Sequence, residues 1–187
     1  MLIFIGLIVA LIVWSIYIRN TIVKHLNATQ RSWSDVTNFE LKKVRTLEQL
    51  EEKLQQYTQF EQHTLTQITA LRQQIMNLNL SRTDTSQLQH VEQLNHDVMH
   101  KLNMVVENYP ELKADQVYLT MMHEIQQQND NVAASLSIFN RNVEFFNNQI
   151  QVFPNNIINT LTLSKRPIRP FRDPVMNQNF QYRPNFH

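Results

Sequence analysis

The chain of 187 residues has no cysteine and a single glycine, Gly6. Without cysteine it has no disulfides, thiolate metal sites or cysteine nucleophiles. Phosphate-cradling loops, nucleophile elbows and tight hairpins use glycine for positive φ or close backbone approach, and nothing after Gly6 supplies one. Dinucleotide folds, P-loops and most β architectures are therefore disfavoured. A dominant charge is missing too: 17 basic and 16 acidic residues leave +1, so composition implies no nucleic-acid partner. Charge is altogether absent from residues 1–18, MLIFIGLIVALIVWSIYI, and proline is absent from residues 20–80.

What is present begins with that apolar run. Leu2 to Ile18 as a helix spans roughly 25 Å, near the lower limit of about 17 residues for a membrane crossing. Arg19, Lys24 and His25 follow it with no acid among them. A cleavable signal puts its basic residues before the run, whereas here they come after, and Trp14 and Tyr17 sit at the run's end like an interfacial aromatic belt. We therefore expect an uncleaved anchor over 1–18, a lipid bilayer as first partner, a short N terminus outside and the rest of the chain on the cytoplasmic side. Next to anionic headgroups Arg19, Lys24 and Arg31 would each contribute about 1 kcal/mol.

Beyond the anchor the pattern predicts an all-α fold. From Asn20 to about Leu80 apolar residues recur at helical spacing, which predicts one long helix continuous with the anchor. Ser86 is expected to cap a second helix carrying Leu88, Val91, Leu94, Val98, Leu102 and Val105, ended by Pro110. A third helix starts around 112–115, and its stripe of Tyr118, Met122, Ile125, Asn129, Val132, Leu136, Phe139, Val143, Phe146, Ile150 and Phe153 alternates steps of four and three, the spacing of a bundle seam or coiled coil. Pro154 stops it, a short fourth helix is expected over 155–163, and residues 164–187 read as a disordered tail rich in proline and arginine. The bundle domain is thus expected over 19–163.

Lengths pose a problem. At about 1.5 Å per residue the three helices would measure roughly 90, 30 and 60 Å, leaving Phe139, Phe146 and Phe153 short of partners. Either helix one bends and the short helix adds cover, which we favour, or a second copy covers the stripe by self-association.

The segments WSDVTNFELKKV (Trp33–Val44), YTQFEQHTL (Tyr57–Leu65), YPELKA (Tyr109–Ala114), FNRNVEFFN (Phe139–Asn147) and FPNNII (Phe153–Ile158) occur in this order and spacing in the LemA family. The chain resembles that family over residues 22–161. The resemblance implies a bacterial inner-membrane protein with an N-terminal transmembrane helix, a short external N terminus and an antiparallel helical bundle. It also implies a link to the organisation of membrane compartments and no cofactor.

Candidate sites follow from the pattern. His96 and His100, one turn apart in NHDVMH, look like a truncated zinc-binding helix, but they point away from the apolar stripe and are expected to face water, so no metal is assigned. Glu61 falls within the stripe of Leu54, Tyr57, Leu65 and Ile68. We expect it to be partly buried and, with Asn129, to fix helix register, with Asn129 and Arg141 as its candidate partners. Tyr109 and Pro110 read as a turn with Leu112 tucked beneath, and Trp33 as a bundle-packing residue. The basic tail, with Phe171, Phe180 and Tyr182, would either touch the membrane or solubilise the chain. The reading is a non-catalytic scaffold or membrane-organising component with unidentified protein partners. The alternatives are an envelope-facing adaptor and a metal hydrolase built on His96 and His100.

Overall fold

Helix α1 runs unbroken from Leu2 to Gln55, through the apolar segment and on into the bundle. The structure is a computed structural model that describes residues 1–57, 61–78 and 83–174. Five more helices follow: α2 (Gln62–Met76), α3 (Thr85–Val106), α4 (Pro110–Lys113), α5 (Gln116–Gln151) and α6 (Asn155–Thr162). Among the described residues all regular structure is helical.

The long helix expected over Asn20–Leu80 is two helices. The chain leaves helical geometry after Gln55, and Glu61 re-enters it from an extended conformation (φ −61°, ψ 110°) as N-cap of α2. No proline or glycine is needed for this break. A straight helix would leave two apolar faces in water, whereas folding back buries Leu65, Ile68, Leu71 and Ile75 in one core with Leu47, Leu50 and Leu54. Each such side chain contributes about 1.5–3 kcal/mol, far more than a few lost helical hydrogen bonds. Arg72 of α2 fastens the hairpin by pairing with Glu48 at 2.6 Å and Glu51 at 2.7 Å on α1.

This break also resolves the length problem. The 37 residues of α1 after Ile18 and the 36 of α5 are both about 55 Å long and pair antiparallel. Lys53 meets Asp115 at 2.7 Å, the Trp33 and Phe139 rings lie 5.4 Å apart, and Ile18 and Ile22 cluster with Phe146 and Ile150. Phe139 and Phe146 are therefore covered within one chain, and the argument for a second copy drawn from them lapses. Phe153 stands apart: α5 ends at Gln151, the backbone turns extended at Val152, and the Phe153 ring is 79 % exposed.

Caps fix the ends. Asp84 rather than Ser86 caps α3, accepting from the Gln87 amide at 3.1 Å, while the Ser86 hydroxyl donates to the same carboxylate. Asp115 caps α5 through the Val117 and Tyr118 amides at 2.8 and 3.2 Å. Between them Pro110 opens the single turn of α4, Leu112 is buried beneath it, and the Tyr109 ring meets Tyr57 edge-on at 6.4 Å.

The expectation of a loose tail from residue 164 is corrected as far as 173. Ser164 turns the chain with φ 49°, and an extended strap then runs back along α5, held by three asparagines. Asn159 exchanges two hydrogen bonds with the backbone of Lys165 (2.9 and 3.0 Å), Asn147 two with Ile168 (2.8 and 2.9 Å) and Asn140 two with Phe171 (3.0 and 2.8 Å). The spacings match: seven residues of helix and three of extended chain both cover about 10 Å. Phe171 is buried in the main core, so its ring is not available to a membrane. Phe180 and Tyr182 lie outside the described residues.

Candidate functional site

Two places concentrate polar or apolar groups where packing alone would not put them. The first is a polar seam inside the bundle. On α1 the buried positions Val36, Leu47, Leu50 and Leu54 continue a heptad whose two intervening places are Glu40 and Lys43, both fully buried. Lys43 donates to Glu40 at 3.2 Å and to Asn95 of α3 at 3.4 Å, and Asn95 donates to Asn129 of α5 at 3.2 Å. Glu92 joins them. Burial pushes its carboxyl up to about 8, Lys43 opposes the rise and Glu40 adds to it. The rise favours the protonated form of Glu92, which limits the charge it brings to the buried Glu40–Lys43 pair.

Asn129 thus occupies a polar register position, but its partner is Asn95 and not Glu61. Glu61 is exposed, and its carboxylate accepts from the Thr64 hydroxyl at 2.8 Å in the first turn of α2. The expectation of a buried Glu61 fails because the helix carrying its stripe ends before it. The true seam was readable as an acid and a base three apart in an apolar heptad, Val36-x3-Glu40-x2-Lys43-x3-Leu47. Arg141 lies over the Phe145 ring, 5.5 Å from its centre.

The second place is the pole where the bundle meets the apolar segment. Leu2, Trp14 and Tyr17 are 83 %, 51 % and 69 % exposed, and Ile18 is the first buried residue of α1. Arg19, Lys24 and Arg31 are exposed just beyond. Here α6 lies against both α1 and α5, with Ile158 and Leu163 on the cluster of Ile18, Ile22, Phe146 and Ile150. Pro154 is half-buried at the start of α6.

A small-residue contact sets α1 close to α5 above this pole. The Thr29 hydroxyl donates to the Asn142 carbonyl at 3.1 Å, and the Asn142 amide donates to the Ser32 hydroxyl at 3.1 Å. Buried Trp33 packs on Phe139 one turn further along.

His96 and His100 are exposed on α3, their rings stacked 6.4 Å apart. Among the described residues no group of three or more His, Asp or Glu side chains is placed to hold a metal ion.

The sequence is similar to that of a known protein. A curated relative, Protein LemA of Metamycoplasma hominis, is 29 % identical over 140 residues, which is 75 % of this chain. The chain spans 63 % of that relative's length. The LemA family model matches residues 32–172, from the residue before Trp33 to the strap residue after Phe171. It takes in the polar seam, α6 and the three asparagine clamps, and on that match the chain belongs to the LemA family.

Proposed function

We propose that the protein is a single-pass membrane scaffold: residues 2–18 cross a bacterial inner membrane, the bundle stands in the cytoplasm, and the molecule works by binding rather than catalysis. The observation that carries this reading is the continuity of α1. An uncharged, uncovered segment passes without interruption into a helix clasped by α5, and the first cationic residues, Arg19 and Lys24, stand at the junction. Lys and Arg are retained on the cytoplasmic side, which supports the orientation. The surfaces offered to protein partners are the polar outer faces of α1, α3 and α5, rich in Gln and Asn.

The test uses the absence of cysteine. Met104 is 61 % exposed on α3, so Met104→Cys gives a unique thiol on the bundle surface. We expect a membrane-impermeant thiol reagent to label it in lysed cells and not in intact spheroplasts. Labelling of intact spheroplasts would place the bundle in the envelope, favour the adaptor reading and remove the proposed orientation.

A further inference from the structure

Outside the apolar segment, five of the ten exposed large hydrophobic side chains among the described residues gather at one place. Phe145 lies in the last turns of α5, Val152 and Phe153 in the α5–α6 connection, and Ile157 and Leu161 in α6, with Phe153 at 79 % and Leu161 at 76 % exposure. The stretch around them, Phe145–Ser164, contains no charged residue, although 18 % of the chain is charged. Immediately after it come Lys165, Arg166, Arg169 and Arg172. A soluble surface of this length would be expected to carry charge.

The position of α6 explains what takes the place of water. Thr162, at its C-terminal end, borders a groove against Ile8, Ile12, Ser15 and Arg19 of α1. The end of α6 therefore stands beside the segment that crosses the bilayer, and not above it. Its inner face, Ile158 and Leu163, is spent on α1 and α5, while Ile157 and Leu161, one turn apart, face outward. Within α6 the backbone donors and acceptors are paired helically, as a segment entering the interface requires.

We propose that the α5–α6 connection and the outer face of α6 form a second membrane contact: an uncharged hairpin inserted into the cytoplasmic leaflet beside the anchor. Phe153, Ile157 and Leu161 reach the acyl-chain boundary, and Lys165 and Arg166 sit among anionic headgroups. The inference rests on the anchoring reading above. A lipid surface is favoured over a second copy because the exposed face is continuous with the lipid-facing flank of α1 and ends in a basic cluster.

Single-cysteine variants of the full chain test it. Phe153→Cys and Leu161→Cys report the hairpin, Ile12→Cys the anchor and Met104→Cys the aqueous surface. Each carries a polarity-sensitive fluorophore in vesicles of phosphatidylcholine with a minor share of phosphatidylglycerol and of nitroxide-bearing lipid. All the hairpin positions are exposed, so labelling leaves the core intact, and circular dichroism verifies the fold. We expect nitroxide quenching at 153 and 161 to exceed that at 104 by about threefold or more and to approach that at 12. Quenching at 153 and 161 equal to that at 104, with position 12 quenched, would overturn the hairpin while leaving the anchor standing. Absence of quenching at position 12 would remove the anchor and the hairpin together. Probes at 153 and 161 shielded from both lipid nitroxide and aqueous iodide, with unlabelled Leu161→Cys forming disulfide-linked dimers, would overturn the proposal in favour of a second copy on this face.

Discussion

At the scale of single residues the polar seam dominates. Glu40 and Lys43 are buried as a pair, and removing one leaves the other uncompensated. We expect Lys43→Ala to destabilise the bundle by about 3–5 kcal/mol and the double change Glu40→Leu with Lys43→Leu to cost far less, measured by urea denaturation in detergent. Glu92 gives a pH signature. Its carboxyl, raised from 4.5 to about 8 mainly by burial, keeps its proton in the folded state while the unfolded chain releases it from pH 4.5 upward. The contribution is thus fully present below pH 4.5 and lost as pH rises toward 8, a difference on the order of 5 kcal/mol. Glu92→Gln should flatten that slope in denaturation curves at several pH values. An unchanged slope would mean Glu92 is ionised in the fold.

Elements show how physical competition decided what could be read beforehand. The boundaries of α3, α5 and α6 were legible because Pro110, Pro154 and an aspartate or serine cap punctuate them, and the α5 stripe because its heptad is regular. The break between α1 and α2 was not, because no breaker residue marks it. Tertiary burial of Leu65, Ile68, Leu71 and Ile75 produces it, and burial depends on what lies opposite. That same break put Glu61 on the surface. The strap was misread for a related reason. Its prolines and arginines resemble a disordered tail, but Asn140, Asn147 and Asn159 satisfy its backbone, and two of these lie seven apart on one helix. Replacing Asn140 and Asn147 by alanine removes four hydrogen bonds. The expected loss is about 2–4 kcal/mol of strap docking, seen as rapid tryptic cleavage after Lys165 and Arg172. The scarcity of glycine is felt at Ser164, whose left-handed φ of 49° suits glycine better, so Ser164→Gly should stabilise the protein by about 1 kcal/mol in the same denaturation assay.

For the whole molecule the strap changes what truncation does. A chain ending at residue 163 would lose Phe171 from the main core and leave the α5 flank uncovered. We expect a lower melting temperature and increased binding of an apolar dye, whereas a chain ending at residue 174 should melt like the full protein. Equal melting of both would mean the strap is dispensable. The matched pair α1 and α5 has a different consequence. On the proposed anchoring, α1, unbroken between Arg19 and Gln55, would carry the far end of the bundle about 55 Å from the headgroups. Many such molecules side by side would behave as a picket of uniform length, holding bulky assemblies off the bilayer while admitting slender ones, so that local density alone could sort what approaches the membrane.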